Sequence, residues 1–294
     1  PAFSISSNSG SAIFALFSAA SGFTSVSKAM GISVPKIGRG SKRVLPEREK
    51  HDTIFPMKKN KGIIFGLLLI IFLFAFFIRI VDLASVPPGL NRDEAAIGYT
   101  AYSLLNVGID EYGSKWPVSF RSFGDWKLPL YIYLTIPFVK ILGLTEFATR
   151  LPSALFGSLT VVLVYFLVVK LFSSKNSSHV AFLSALFLAI NPWHVYMSRN
   201  ASESNIAVFL VTSSLVLFAY SFKKQWLLFF SFLTLSLTLY TYHGNHIFTP
   251  LLFIGILFFF RDKLKSNPWF IPACGIFLVS ILLIYSKTLF IADR

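Results

Sequence analysis

From residue 62 onward the chain repeats one pattern, a long apolar run followed by a short polar break. Stretches such as "GIIFGLLLIIFLFAFFI" and "FFSFLTLSLTLY" carry no charge and follow one another with short polar loops between, which suits helices surrounded by lipid rather than a soluble core. Seven spans are predicted, at about 62–81, 151–170, 178–197, 204–222, 226–242, 247–260 and 268–286. Segment 128–144 is also apolar, but Pro137 and Lys140 interrupt it, and it reads as a helix lying at the membrane interface. A second interfacial helix is expected at 93–105, where Ile97, Ala101, Leu104 and Leu105 form one apolar face and Asn91, followed three residues later by Glu94, forms a helix cap. The fold class is all-α: a polytopic transmembrane helix bundle with two interfacial helices in its first external loop.

Charge sets the direction of the spans. Lys58, Lys59 and Lys61 flank the first span and place its start in the cytoplasm. If 128–144 stays at the interface, Lys170, Lys175, Lys223, Lys224, Arg261, Lys263 and Lys265 fall inside, against Arg199, Lys287 and Arg294 outside. A crossing helix would invert them all, so the basic residues favour the interfacial reading. The polar stretches 82–150, "NPWHVYMSRNASES" and "YTYHGNHIFTP" then meet on the external face.

Composition changes the picture in three places. The net charge of +14 would suggest nucleic acid in a soluble chain. Here the basic residues cluster beside the ends of apolar segments, so no nucleic-acid partner is expected. The single cysteine, Cys274, excludes an intrachain disulfide. Residues 1–56, rich in Ser, Gly and Ala and then basic, precede "MKKNKGIIFGLLL", which reads as a natural start at Met57. They are taken as a non-native or disordered extension, a signal sequence over 11–26 being the less favoured reading. Residues 57–294 form the transmembrane domain. "NSS" at Asn176 matches a glycosylation acceptor but falls on the cytoplasmic side.

The candidate chemistry lies in four polar clusters. Asp93 and Glu94 open the helix at 93–105, where the helix dipole favours carboxylates; acids also favour helix starts for structural reasons alone. "SFGDWKLPLYIYL" places Asp125 and Lys127 just before the interfacial segment, at the height of a lipid phosphate, with Trp126 between them. An ordinary snorkelling lysine is the alternative. "SRNASES" carries Arg199 and Glu203 four residues apart, able to pair if the chain there is helical. "LYTYHGNHIFTP" gathers Tyr240, Tyr242, His243 and His246; the two histidines lack an evident third metal ligand, and tyrosines at this depth ordinarily form an interfacial belt. No phosphate-cradling glycine loop, cysteine-pair motif or nucleophile elbow is present.

The Asp93–Glu94 pair after the first span, "K-x-P-L" at Lys127–Leu130, "EFATRLPSALFG" and "SRNASES" together resemble the membrane glycosyltransferases of the dolichyl-phosphate-mannose protein mannosyltransferase and lipid A aminoarabinose transferase superfamily, which share the C-type glycosyltransferase fold. The resemblance covers about residues 62–260. It implies a polyprenyl-phosphate-linked sugar donor and a hydroxyl acceptor on protein, lipid or glycan, with transfer by inversion on the external face. It implies catalytic roles for Asp93 and Glu94, with Asp93 as general base, and donor-phosphate binding by Lys127 and Arg199. Asp125, Glu203, Tyr242 and His243 would line the substrate pocket, and a divalent metal stays open.

Two departures bear on sugar and metal. "AAIGY" stands where the aminoarabinose transferases carry an arginine, and Trp126 replaces an acid before the lysine. The chain also stops at "SKTLFIADR", where relatives continue, which reads as a fragment. The expected setting is a multi-pass protein of a bacterial plasma membrane. The alternative is a polytopic transporter or lipid flippase with Asp93, Glu94 and Arg199 along its pathway, but polar breaks near mid-bilayer, which a transporter needs, are not evident in the spans.

Overall fold

The computed structural model describes residues 61–172 and 177–292. Expectations resting on residues 1–56, on Lys58, Lys59, Lys175, Asn176 and Arg294, and on the side chains of Lys61 and Lys287 lie outside the described residues. Among the described residues, ten α-helices and one small hairpin follow in order: α1 (Lys61–Ile80), α2 (Arg92–Val107), β1 (Phe120–Ser122), β2 (Asp125–Lys127), α3 (Pro129–Leu142), α4 (Glu146–Leu171), α5 (Ser177–Ile190), α6 (Pro192–Arg199), α7 (Glu203–Ser221), α8 (Leu227–Leu237) with a 3-10 turn (Thr238–Tyr240), α9 (Asn245–Lys265) and α10 (Phe270–Ala292). The protein is an all-α integral membrane protein.

Among the described residues, three helices, Gly62–Ile80, Glu146–Leu171 and Glu203–Ser221, are long and apolar enough to cross a bilayer by length and composition. The expectation of seven uninterrupted spans is corrected accordingly. The run at 178–197 is bent by 56° between α5 and α6; Asn191 caps α6 by accepting from the His194 amide, and Pro192, which has no amide to donate back, opens it. Taken as one bent span, this pair is a fourth. The run at 226–242 leaves the α-helix at Leu237, and 247–260 lies within α9, whose last turns carry Arg261, Asp262, Lys263 and Lys265. Helix α10 runs from Phe270 to Ala292, 23 residues.

Segment 128–144 forms α3, with Pro129 at its first turn. Its 14 residues extend about 21 Å, short of a ~30 Å hydrocarbon layer. Helix α2 starts on the expected cap: Asn91 Oδ1 accepts from the Glu94 amide at 2.9 Å and Glu94 Oε2 accepts from the Asn91 amide at 3.1 Å. It ends at Gly108, whose φ of 71° supplies the left-handed residue such a terminus favours.

Helices α4 and α7 run side by side in one direction. Asn205 donates to the Ser153 carbonyl at 2.8 Å, and the Phe156 and Phe209 rings lie 4.8 Å apart. Near the far end, the Lys170 ammonium sits 4.1 Å from the Tyr220 ring centroid. Gly157 allows the close approach of α6, since a Cβ there would lie 2.8 Å from that of Ser198. Arg150 and Lys170 are twenty residues apart on α4, about 30 Å along the axis, so the two ends of this pair differ by roughly one hydrocarbon thickness. One apolar core joins α2, α3, α4 and α7, a second joins α1, α4 and α5, and a third joins α7 to α10.

Candidate active site

The site forms where the first turns of α2, α4 and α7 converge. Glu94 is buried there against Arg150, their side chains being 2% and 0% exposed. Glu94 Oε1 accepts from Arg150 Nε at 3.0 Å and from the Ala201 amide at 2.9 Å; Oε2 accepts from Arg150 Nη2 at 2.9 Å and from the Asn91 amide at 3.1 Å. The guanidinium also donates to the carbonyls of Leu83 at 3.0 Å, Pro87 at 2.9 Å, and Gly89. Burial alone would raise the Glu94 pKa, but hydrogen bonds from Arg150, Ala201 and Asn91, with the guanidinium charge, outweigh it and hold the carboxyl below its ordinary value. Loop 83–91, α2, α4 and the turn before α7 are thereby tied at one point.

Asp93, one residue earlier, faces outward. Its side chain is 61% exposed, and Oδ1 lies 3.0 Å from Lys127 Nζ, whose own side chain is only 14% exposed. The hairpin delivers that lysine. Phe123 and Gly124 both take positive φ, 50° and 86°, as a two-residue turn requires, and pair Ser122 with Asp125 and Phe120 with Lys127. The Arg92 guanidinium stands 5.2 Å from the Phe123 ring centroid and links the hairpin tip to the start of α2. Asp125 accepts from the Trp126 amide at 2.7 Å, and the Trp126 carbonyl accepts from His243 Nε2 at 2.7 Å. Since a carbonyl can only accept, His243 carries its proton on Nε2 when neutral.

Glu203 opens α7 beside this pair. It lies within electrostatic reach of Lys127, Asp93 and Asp125, and its Oε1 is buried without a hydrogen-bond partner. Asp93, Lys127, Asp125 and Glu203 are thus brought together, and His243 joins them through the Trp126 backbone. Tyr242 is half-exposed, its ring against Gly244.

Arg199 takes a different position from the one expected. Helix α6 ends at Arg199 and α7 begins at Glu203, so the continuous helix needed for their pairing is absent. Arg199 donates instead to the carbonyls of Ile78 at 3.0 Å and Arg79 at 3.3 Å, orphan carbonyls at the end of α1, and to the loop carbonyl of Val86 at 2.9 Å. Among the described residues no three His, Cys, Asp or Glu side chains gather as a metal site; His243 and His246, 5.4 Å apart by ring centroid, remain a pair.

Sequence reasoning missed Arg150, Arg79 and His194. Arg150 stands at the edge of an apolar run, where a headgroup anchor is the ordinary reading. Its partner Glu94 is 56 residues away. Arg79 is fully buried, donating to Ala75 O at 2.8 Å, Ala189 O at 3.1 Å and His194 Nδ1 at 2.9 Å. It holds the bend between α5 and α6 against α1.

The family model for dolichyl-phosphate-mannose-protein mannosyltransferases matches residues 127–285, more than half of the chain. Similar curated proteins include two named dolichyl-phosphooligosaccharide-protein glycotransferase 2. The one from Pyrococcus furiosus is 37% identical over 89 residues, covering 29% of this chain and 11% of that protein. The one from Pyrococcus horikoshii is 30% identical over 147 residues, covering 45% of this chain and 17% of that protein. The match thus spans a small part of either relative's length.

Proposed function

Because the chain belongs to the dolichyl-phosphate-mannose-protein mannosyltransferase family, we propose that it transfers a sugar from a polyprenyl-phosphate-linked donor to a hydroxyl acceptor at the membrane face where Asp93 and Lys127 meet. The observation that carries this reading is the ion pair itself: an exposed carboxylate 3.0 Å from a largely covered ammonium, at the height of an interfacial helix. A lipid-borne phosphate reaches that height from the bilayer, and an acceptor reaches it from water.

The acceptor hydroxyl oxygen attacks the anomeric carbon and forms the new glycosidic bond, with inversion. The bond from that carbon to the phosphate oxygen breaks, and its electron pair leaves with the lipid phosphate. Asp93 takes the hydroxyl proton as general base. Lys127 meets the charge that grows on the departing phosphate, and its ammonium passes from Asp93 to the phosphate as the donor enters. Glu203, which lies within electrostatic reach of this group and has one oxygen without a hydrogen-bond partner, accepts a hydrogen bond from a sugar or acceptor hydroxyl. Asp125, Tyr242 and His243 border the same space.

Glu94 is assigned a positioning role, since each of its oxygens already accepts two hydrogen bonds. Arg199 is assigned to the end of α1 rather than to phosphate, its donors being directed at backbone carbonyls.

The external face is supported by the lysines at the opposite end of the bundle. Lys170, Lys223 and Lys263 lie near the C-terminal ends of α4, α7 and α9, and the positive-inside tendency assigns that end to the cytoplasm. A transporter pathway gains no support from the helix break at Asn191, because Arg79 ties it to the end of α1, away from mid-bilayer.

The test is native mass spectrometry of the detergent-solubilised chain with a panel of polyprenyl-phosphate sugars. The wild type is expected to retain one of them and Lys127→Ala to lose it. A folded wild type that retains none overturns the donor assignment.

A further inference from the structure

Between α2 and β1 the chain builds a small, ordered loop. Gly108 ends α2 in the left-handed region, and Ser103 Oγ donates to the Ile109 carbonyl at 2.7 Å. Asp110 is buried, and its Oδ1 accepts from the amides of Tyr112 at 3.0 Å and Ser114 at 2.8 Å. This framework presents two rings. Trp116 is 57% exposed and takes a φ of 44°, a conformation costly for a bulky residue. Its indole lies parallel to the Tyr133 ring of α3, the centroids 6.1 Å apart, and the Tyr133 hydroxyl donates to the Pro117 carbonyl at 2.6 Å. Tyr112 is 52% exposed, with the Arg121 guanidinium 5.4 Å from its ring centroid. Phe120 packs edge-on against Tyr133, 5.7 Å between centroids, and pairs with Lys127 across the hairpin. The Trp116 ring therefore stands no more than about 20 Å from the Lys127 backbone.

We propose that Trp116, with Tyr112 and Arg121, is a saccharide subsite for an extended acceptor, so that the hydroxyl presented at Asp93 belongs to a glycan chain. This names the acceptor of the reaction proposed above and rests on that reading. A pyranose ring has an apolar face of C–H bonds, and the negative face of an indole attracts them. Its hydroxyls project around the rim, where the Arg121 guanidinium is placed to donate to them. A ring that only anchors a loop at the bilayer surface needs no strained backbone to hold it out. The residues before it, Glu111, Gly113, Ser114 and Lys115, are all exposed and none carries an apolar side chain, which keeps this loop in water rather than among acyl chains. A chain of a few sugar units covers the distance to Lys127. A peptide of serine or threonine side chains offers no comparable flat face to lay on the indole.

The test is fluorescence polarisation of the detergent-solubilised full chain with end-labelled tetrasaccharides of mannose and of N-acetylglucosamine, beside a serine-rich peptide carrying the same label. At least one tetrasaccharide should bind in preference to the peptide. Trp116→Asn, which removes the ring but suits a positive φ, should weaken that binding about tenfold, and Trp116→Phe, which keeps a smaller ring, should weaken it less. Both variants should elute like the wild type and retain the polyprenyl-phosphate donor as it does. Binding of neither tetrasaccharide, equal binding of the peptide, or an affinity unchanged in Trp116→Asn overturns the inference. So does quenching of the Trp116 emission, taken as the difference between wild type and Trp116→Phe, by brominated phospholipid in proteoliposomes, which would put the ring in the bilayer. Donor retention without saccharide binding overturns the acceptor assignment alone. Saccharide binding without donor retention overturns the reaction and leaves the subsite standing.

Discussion

Two carboxylates adjacent in sequence, Asp93 and Glu94, sit in opposite surroundings. Glu94 and Arg150 form an ion pair sealed from solvent, with both partners engaged by further backbone groups. Asp93 and Lys127 form a pair of similar length that is open on the acid's side, with Glu203 in electrostatic reach. Successive residues of a helix project about 100° apart, so one turn can direct one acid into the bundle and its neighbour out toward the membrane surface. The buried pair orders the first turns of α2, α4 and α7; the open pair is left where its charges can exchange partners.

The comparison breaks most visibly at Arg150. Arg150→Met leaves Glu94 buried with its main counter-charge gone, and should cost about 3–5 kcal/mol. Thermal unfolding in detergent reads it, with loss of donor retention as a secondary effect. The double variant Glu94→Leu/Arg150→Met removes both charges and should recover part of that loss, since an apolar pair of similar volume carries no desolvation cost. If the double variant is no more stable than the single, the pair is not what costs stability when it is broken.

Asp93→Asn should do the reverse. An exposed pair contributes about 0–1 kcal/mol, so unfolding should barely move. Sugar transfer should fall about 10²- to 10⁴-fold through loss of the base, while donor retention stays. Equal transfer by wild type and variant would remove Asp93 from the chemistry.

Much of this site could be read from the chain because its signals are local. Asn91 and Glu94 are three residues apart, and the capping box is a rule about that spacing. Lys127 stands out in the sequence because it precedes an apolar segment interrupted by Pro137, and in the structure that segment is a 14-residue helix. What stayed hidden was long-range or conditional. Arg150 resembles any basic residue at a span's edge until Glu94 is seen beside it. Arg199 and Glu203 have the spacing of a helical pair, but the chain between them is not helical, and a spacing rule is empty without its helix. The bend at Asn191–Pro192 and the 3-10 turn after Leu237 are small backbone events that leave the apolar pattern unchanged. Counting apolar runs therefore overstated the number of uninterrupted spans.

The buried pair also makes a prediction in pH. Glu94 is held below its ordinary pKa of 4.5, so its contribution to stability is fully present above that value and is lost as pH falls through the lower, folded one. The unfolding temperature of the wild type should exceed that of Glu94→Gln near neutrality, and the gap should close below about pH 4.5. A gap independent of pH would mean that shape, not charge, holds this junction.

The smallest expected effect lies at the hairpin tip. Arg92 stands 5.2 Å from the Phe123 ring centroid on the exposed side of α2, and such a contact contributes about 0.5–1 kcal/mol. Arg92→Ala should therefore leave unfolding nearly unchanged. It should nevertheless weaken donor retention a few-fold, because this contact and the Asp93–Lys127 pair link the hairpin that presents Lys127 to the first turn of α2, while Phe120 anchors the other strand in the apolar core and His243 holds the Trp126 carbonyl. Arg92→Lys, which keeps the charge but gives up the flat face that stacks on the ring, should fall between the two. If the lysine variant binds as poorly as the alanine one, stacking rather than charge sets the position of Lys127, and the open pair is held in place by geometry as the buried pair is by hydrogen bonds.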